Sequence, residues 1–92
     1  MTGNRRRIAH AFGEALRAAR QQTGLSQDEL SERCDFDRTY PSLLERGKRR
    51  PTFEMLLRLA DALGIPPERL VSDTLARLKV AAVVSPEVSP NG

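Results

Sequence analysis

Polar and cationic side chains follow one another in the middle of this 92-residue sequence, between Gln27 and Arg50. The run Arg38-Thr39-Tyr40 offers hydrogen-bonding groups, and Lys48-Arg49-Arg50 adds positive charge soon after it. A guanidinium can donate two parallel hydrogen bonds to a guanine edge or to a phosphate, and basic side chains in general attract phosphates. These residue types in this order predict a recognition chemistry, in which a nucleic acid is bound and its bases are distinguished.

The positive charge is distributed unevenly, and its distribution is more informative than the formal net charge of +3. Residues 1–50 contain 11 Lys and Arg against 7 Asp and Glu, whereas residues 51–92 contain 4 against 5. The densest clusters are Arg5-Arg6-Arg7 and the basic residues that flank Gly47. The second cluster is expected to contact DNA. The first is either an arm that grips DNA or an ordinary solvated run of charge.

The composition argues against catalysis and metal binding. One cysteine and one histidine, without clustered carboxylates, leave no candidate for a catalytic triad or a metal site, so neither enzymatic activity nor a cofactor is expected. Cys34 cannot form an intramolecular disulfide and is interpreted as a small buried hydrophobe. Arg5-Arg6-Arg7 is not followed by an apolar stretch, and no run approaches the length of a membrane span. The sequence therefore predicts a soluble, cytoplasmic protein.

The spacing of apolar residues and the positions of cap residues predict an all-α fold of five helices. Ser26 and Glu29 match a capping box before the second helix, and Asp37 is predicted to cap the third, which Gly47 terminates. Pro41 would be the fourth residue of that helix, where it is expected to cost one early hydrogen bond and to bend the first turn. The predicted helices span residues 6–22, 26–34, 38–46, 52–63 and 66–80. They form one domain over residues 1–81, followed by a C-terminal tail over 82–92.

Apolar residues at helical spacing are expected to face a shared core. Ile8 lies on such a stripe in the first helix, Phe53 and Leu57 in the fourth, and Leu70 with Val71 in the fifth. The fifth helix continues past Leu70, beyond the point where the core needs it. Its further apolar residues are then left uncovered, and exposed apolar patches mark interfaces, so a homodimer contact is predicted there. The residues predicted for that contact are Leu75, Leu78, Val80 and Val83.

The second and third predicted helices, with the turn between them, form a helix-turn-helix over residues 26–47. The major groove of DNA is about 12 Å wide and admits one α-helix, whose N-terminal residues reach the base edges. The third helix would be this recognition helix. The second would cross the DNA backbone, where the amides at its N-terminus can bind phosphate.

The stretch Leu16–Leu70 resembles the phage repressor/Cro family of helix-turn-helix transcriptional regulators, also called the XRE family. The residues that carry the resemblance are Leu16-Arg17-Ala18-Ala19-Arg20, Gly24-Leu25-Ser26-Gln27-Asp28-Glu29-Leu30, Arg38-Thr39-Tyr40, Leu44-Glu45-Arg46-Gly47-Lys48-Arg49, Pro51-Thr52 and Leu59-Ala60-Asp61-Ala62-Leu63-Gly64-Ile65. The Asp37-Arg38-Thr39-Tyr40 stretch is also similar to controller proteins of restriction–modification systems, a subgroup of the family. Asp35 stands where the family has a turn glycine, although aspartate adopts the left-handed conformation more readily than most residues.

The resemblance implies roles for the residues at matching positions. Those assigned to base edges are Arg38, Thr39, Ser42 and Leu43. Those assigned to the DNA backbone are Gln27, Tyr40, Arg46, Lys48, Arg49 and Arg50. Gln27 would also brace the recognition helix. Arg20 and Glu45 match a pair that forms a buried, structural salt bridge in relatives.

Physical reasoning ranks these contacts. Arg38 can donate two hydrogen bonds to O6 and N7 of guanine, the commonest specific contact, worth about 1–3 kcal/mol of discrimination. Thr39 and Leu43 can place methyl groups against a thymine methyl. The basic residues fix the position of the protein on DNA without reading its sequence. Arg38 is therefore the principal predicted base contact.

The leading hypothesis is a homodimeric transcriptional regulator that binds a pseudo-palindrome in double-stranded DNA, with recognition helices 34–36 Å apart. An antitoxin is the alternative, binding DNA with the same domain and a toxin protein with the C-terminal tail. A third possibility is an enzyme or a structural helical module whose basic charge is incidental, which predicts binding without sequence preference.

Overall fold

Five α-helices make up the fold in a computed structural model, which describes the backbone of residues 2–84 and the side chains of residues 4–79. The helices are α1 (Thr2–Thr23), α2 (Gln27–Cys34), α3 (Tyr40–Glu45), α4 (Phe53–Leu63) and α5 (Pro67–Val84). No strand occurs between residues 2 and 84. The predicted all-α class is therefore confirmed.

Local capping sets the start of α2 and of α4 as predicted. The Ser26 side chain accepts a hydrogen bond from the Glu29 amide, and the Glu29 carboxylate accepts one from the Ser26 amide, which completes the capping box. The same bonds lower the pKa of Glu29, the backbone donor contributing most. Thr52 accepts a hydrogen bond from the Met55 amide in front of α4. Each helix begins one residue after its cap, so the predicted starts at 26 and 52 counted the cap itself.

The first and last helices are longer than predicted. The α1 helix begins at Thr2 rather than residue 6, although of the added residues only Arg5 is a good helix former. The α5 helix extends to Val84 rather than residue 80, through good helix formers. The predicted tail thus starts within a helix at residues 82–84, and residues 85–92 lie outside the described part of the chain.

The start of the third helix is a correction, because α3 begins at Tyr40 and not at Arg38. The Asp37 carboxylate accepts hydrogen bonds from both the amide and the hydroxyl of Thr39. This local arrangement holds residues 38 and 39 in a turn and leaves Thr39, not Asp37, at the cap position of α3. The same bonds, that of the amide first, lower the pKa of Asp37.

The later start of α3 also removes the penalty expected from Pro41. This proline is the second residue of the helix, where an amide hydrogen would have no partner within the helix. Its ring is buried in the core. Pro41 therefore fills an apolar position without costing the recognition helix a hydrogen bond.

The core consists mainly of one leucine from each helix. These residues, in helix order, are Leu16, Leu30, Leu44, Leu59 and Leu70. A fully buried leucine contributes about 1.5–3 kcal/mol through removal of its surface from water. Cys34 packs with them, and burial raises the pKa of its thiol, as expected for a buried hydrophobe.

Four residues that were expected to face the core are exposed instead: Ile8, Phe53, Leu57 and Val71. Phe53 is the most exposed of them, at 74%. Helical spacing predicts which side of a helix is apolar, but it does not tell how far the neighbouring helices extend. All four side chains line a surface groove between α4, α5 and α1 instead of a closed core.

Gly13, in the middle of α1, permits the close approach of α1 to α3. A Cβ atom at this position would lie 2.4 Å from the carbonyl oxygen of Leu44 and 2.6 Å from that of Glu45. Both are backbone atoms, so no side-chain rotation can make room. Gly13 therefore sets the distance between α1, the scaffold helix, and α3, the predicted recognition helix.

We expect Gly13→Ala to lower the free energy of unfolding by about 1–3 kcal/mol, the usual cost of overpacking. This is opposite in sign to the ordinary effect of the substitution in a helix, where alanine is favoured by about 1 kcal/mol. Chemical denaturation followed by far-UV circular dichroism measures the change. Arg17→Ala, on an exposed position of the same helix, is the control and should be nearly neutral. Equal stability of Gly13→Ala and wild type would contradict the close approach.

Candidate nucleic-acid interface

A hydrogen-bonded network joins the end of the recognition helix α3 to α1 and α2. Two donors of Arg20, Nε and Nη2, bind the two carboxylate oxygens of Glu45, the second at 3.0 Å. Gln27, the first residue of α2, donates from Nε2 to Glu45 Oε1 at 3.0 Å. Arg20 Nη1 donates in addition to the Leu25 carbonyl at 2.9 Å. One carboxylate thus fixes α3 to the helix before it and to the scaffold helix.

The network is buried, so each charged group in it needs its partner for the fold to be stable. The Glu45 side chain is 3% exposed and that of Arg20 is 13% exposed. The hydrogen bonds that Arg20 donates to Glu45 raise the pKa of Arg20, so the guanidinium is charged at every physiological pH. A buried charge that loses its partner costs several kcal/mol. In the structure Arg20 and Glu45 form a buried ion pair, and Gln27 donates a hydrogen bond to the same carboxylate of α3.

The principal predicted base contact, Arg38, lies in the exposed turn just before α3. Its side chain is 78% exposed, and Nη2 lies 3.2 Å from Oδ2 of Asp28 in the first turn of α2. Exposed pairs of this kind contribute about 0–1 kcal/mol, so a DNA base can displace Asp28 at small cost. Thr39 is also exposed, although its hydroxyl already donates to Asp37 and leaves its methyl group as the free feature.

Tyr40 differs from its neighbours because it is half-buried. Its ring meets that of Phe36 edge to face, with centroids 5.0 Å apart. The guanidinium of Arg49, in the basic loop formed by Lys48, Arg49 and Arg50, lies 5.7 Å from the centroid of the Tyr40 ring. Burial raises the pKa of Tyr40, so its hydroxyl stays protonated and can donate. Tyr40 therefore joins the core to the basic loop.

The remaining predicted contacts divide by exposure. Ser42 and Leu43 are half-buried on α3, whereas Arg46, which hydrogen-bonds to the Ser42 carbonyl from both its amide and its Nε, is exposed. The basic loop residues after Gly47, all exposed, are Lys48, Arg49 and Arg50. Base-edge and backbone candidates are thus brought to one surface, with the α3 side chains less accessible than those of the turn and loop.

Two residues of this region were not singled out as functional by the sequence reasoning. Asp28 was considered only as part of the capping box, and its pairing with Arg38 depends on the angle between α2 and the turn, which no local pattern encodes. Gly13 could have been found, because a glycine within a helix costs about 1 kcal/mol relative to alanine and so indicates a packing reason.

Two of the residues predicted for the dimer contact, Leu75 and Leu78, line a surface groove between α4, α5 and the first turns of α1. Its apolar lining includes Ile8, Phe53, Leu57, Val71, Leu75 and Leu78. Leu75 is 58% exposed, and Leu78 is half-buried. Val80 and Val83 lie on α5, but their side chains are outside the described residues. The large apolar side chains that are exposed in the described structure thus all line this groove.

Neither a metal centre nor a membrane-spanning helix is found in the described structure. Residues 4–79 contain no group of three or more His, Cys, Asp or Glu side chains that could hold a metal ion. None of the helices in the described region is long and apolar enough to cross a membrane.

Two short helices joined by a turn, α2 and α3, are the arrangement of the helix-turn-helix class of DNA-binding proteins. Here buried contacts fix α3, an exposed polar turn precedes it and a basic loop follows it. A family model described as "Helix-turn-helix domain" matches residues 11–73. The chain belongs to this family, as a DNA-binding transcriptional regulator of the XRE type.

Curated relatives agree with this assignment. An uncharacterized HTH-type transcriptional regulator, y4dJ of Sinorhizobium fredii (strain NBRC 101917 / NGR234), is 42% identical over 67% of this chain and 80% of the relative. The control protein C.BamHI of Bacillus amyloliquefaciens is 36% identical over 80% of this chain and 89% of that protein. Among solved structures, the clp gene regulator ClgR of Corynebacterium glutamicum matches with a TM-score of 0.79 and 28% identity, over 84% of this chain and 82% of that chain. These relatives favour the regulator over the antitoxin alternative, which none of them supports.

Breaking the buried network should destabilise the fold strongly. Glu45→Ala leaves the Arg20 guanidinium and the Gln27 amide without their acceptor, so we expect a loss of about 3–5 kcal/mol in the free energy of unfolding. The double variant Arg20→Met/Glu45→Leu should lose less than Glu45→Ala, because no buried charge remains unpaired. Denaturant titration of both variants measures this.

The pair of Arg77 with Glu14, at 3.6 Å, provides the control, because its side chains are 35% and 47% exposed and so far more solvated than those of the network. Arg77→Ala should cost no more than about 1 kcal/mol. If Glu45→Ala were as mild as Arg77→Ala, the network would not be what holds the recognition helix.

Proposed function

We propose that this protein regulates transcription by reading a specific sequence in the major groove, through the turn before α3 and the exposed side of that helix. The observation that carries the proposal is the contrast between the two ends of this segment. Glu45 is buried and accepts three hydrogen bonds, while the side chains of Arg38 and Thr39 are exposed at the surface. A rigid base with accessible donors at its edge suits bidentate contact with a guanine.

Affinity would come from phosphate contacts on both sides of the reading edge. Gln27 keeps one amide hydrogen for a phosphate and its carbonyl oxygen for a water, beside the N-terminal amides of α2. On the other side, Arg46, Lys48, Arg49 and Arg50 are exposed cations that would meet the backbone along the groove. Tyr40 would donate its hydroxyl to the backbone, and Ser42 and Leu43 would reach base edges once the helix enters the groove.

The protein would act as a homodimer, and it would need no catalytic chemistry to do so. The groove between α4 and α5 has exposed apolar side chains from both helices, including Phe53 and Leu75, and a second copy of the chain supplies a surface of the same character. Two recognition helices would then face successive turns of a pseudo-palindrome, about 34–36 Å apart. Such a regulator would work on chromosomal DNA in the cytoplasm.

The direct test selects bound fragments from genomic DNA at physiological salt and maps the protected bases by footprinting. We expect one enriched motif with two symmetric half-sites. Recovery of fragments without a common sequence would refute specific regulation and leave only a basic helical module.

Substitution of one reader and one clamp should have different effects. Arg38→Ala should relax the preference at one position of each half-site and cost about 1–3 kcal/mol on the correct sequence. Arg49→Ala should weaken binding to all sequences alike and reduce the slope of log affinity against log salt by about one. Fluorescence anisotropy titrations with the selected site, single-base variants and a random duplex separate these outcomes. Identical behaviour of the two variants would overturn the assignment of reader and clamp.

Charge placed in the apolar groove should prevent dimer formation. Leu75→Glu and Phe53→Glu change side chains that are already exposed in the single chain, so we expect the helical content and the core to be retained. Sedimentation velocity should change from about twice the 10.2 kDa chain mass to the mass of one chain. Binding to the full pseudo-palindrome should fall to the level of a single half-site.

Gln21→Glu, exposed on α1 and outside the groove, introduces charge of the same sign as a control and should leave the mass unchanged. A wild-type protein that sediments as one chain at micromolar concentration, bound or free, would remove the dimer from the proposal.

A further inference from the structure

Three arginines near the start of α1, Arg5, Arg6 and Arg7, are not used by the function proposed above. The sequence left them open between an arm and a solvated run. They are part of the regular helix α1, and all three are exposed. They are therefore neither a flexible arm nor separate in space from the rest of the positive charge.

The fold brings these arginines against the basic loop, about 40 residues away in the chain. Arg5 and Arg6 line one shallow surface depression with Lys48, Arg49 and Arg50. Arg6 and Arg7 line an adjoining one with Arg46 and Lys48. Gly47 and the α1 backbone form the floor of both, and seven cationic side chains surround them. We call these seven residues the cationic surface.

Gly47 makes this juxtaposition possible. Its φ of 72° lies in the left-handed region, and a Cβ atom there would lie 3.1 Å from the Cα atom of His10. The turn after the recognition helix therefore touches the backbone of α1 directly. The side chains that precede His10 and those that follow Gly47 are consequently held side by side by the same contact.

The cationic surface is not neutralised within the part of the chain whose side chains are described. None of its seven members forms an ion pair with a carboxylate there, whereas Arg20, Arg38 and Arg77 each do. The first turn of α1 has no acidic residue, although acidic residues are favoured at that end of a helix and cations are not. Clustered like charges also repel one another and destabilise the compact state. The arrangement costs stability, and no carboxylate among the described side chains pairs with these cations to offset that cost.

We infer that Arg5, Arg6 and Arg7 bind phosphates of the same duplex as the basic loop, so that the cationic surface is one backbone-binding site built from two segments. The inference rests on the proposed function and extends it. Seven exposed cations in adjoining depressions complement a double strand of phosphates, which carries one negative charge per about 1.7 Å of helix axis. Contacts of this type add affinity without sequence preference.

The position of the surface indicates which phosphates it binds. Arg7 also lines the apolar groove with Phe53, Leu56 and Leu78. The cationic surface thus lies between the C-terminal end of α3 and the groove. In a two-fold dimer formed through that groove, the phosphates it meets are those between the two half-sites, on the inner side of each recognition helix.

The test compares a triple variant, Arg5→Gln/Arg6→Gln/Arg7→Gln, with wild type in anisotropy titrations over a range of salt concentrations. One probe is the selected operator, and the other is a random duplex of equal length. We expect the slope of log affinity against log salt to fall by about 2–3 for each bound subunit, and so by about 5 for the dimer, since each lost phosphate contact removes about 0.9. Affinity for the two probes should fall by the same factor, roughly 10-fold or more at physiological salt. The melting temperature should be unchanged or higher, because repulsion is relieved.

The control variant Arg17→Gln/Arg33→Gln/Arg69→Gln removes the same charge from exposed positions that do not line the two depressions. It should keep the wild-type slope. Ethylation interference should show loss of contacts to the central phosphates in the first triple variant alone.

Any of three titration results would overturn the inference: an unchanged slope in the first triple variant, an equal decrease in both variants, or a loss of affinity confined to the operator. Capture of an acidic protein with unchanged DNA binding would assign the surface to a different partner and likewise overturn it. Failure of the proposed function is a separate result, because it is seen in wild type as the absence of any selected motif.

Discussion

The bidentate pair between Arg20 and Glu45 is the interaction on which the rest of this structure depends. The α3 helix has only six residues, and an isolated helix of that length is not stable in water. Its position is therefore determined from outside, by the carboxylate at its last residue, by Leu44 and Pro41 in the core, and by the close approach at Gly13. Because these contacts all lie behind the helix, the opposite side is left free for DNA.

The surface formed in this way separates two requirements of a specific DNA-binding protein. Base recognition needs few donors in fixed places, and in the proposed function Arg38 and Thr39, in the turn before α3, would meet the bases. Affinity needs many cations whose exact placement matters less. The basic loop and the first turns of α1 would supply these cations, at a cost in folding stability that the buried leucine core offsets.

The apolar groove shows the same relation between fold and assembly. A domain of this size buries only a limited core, and α5 continues beyond it. Phe53, Leu57, Val71 and Leu75 are left at the surface because no part of the chain that the structure describes extends over them. Assembly of two chains would remove this apolar area from water and would also set the spacing between two recognition helices. Stability and half-site spacing would then have a common origin.

What the sequence determined by itself is the set of features that depend on near neighbours in the chain. The capping box at Ser26 and Glu29, the cap at Thr52 and the left-handed turns at Asp35 and Gly64 involve residues no more than four apart, so the helices around them were predicted closely. The family pattern added the Arg20 and Glu45 pair, which no local signal contains.

Only the tertiary structure decided the features that depend on distant contacts. The turn at Asp37 and Thr39 is local and moved the start of α3 by two residues, but packing against the rest of the fold is what made Pro41 a core residue. The orientation of α4 exposed Phe53, although its spacing placed it on the apolar side. The approach of Gly47 to His10 placed three arginines of α1 beside a loop far along the chain. In each case the energy comes from packing between helices, and the periodicity of one helix carries no information on where its neighbours end.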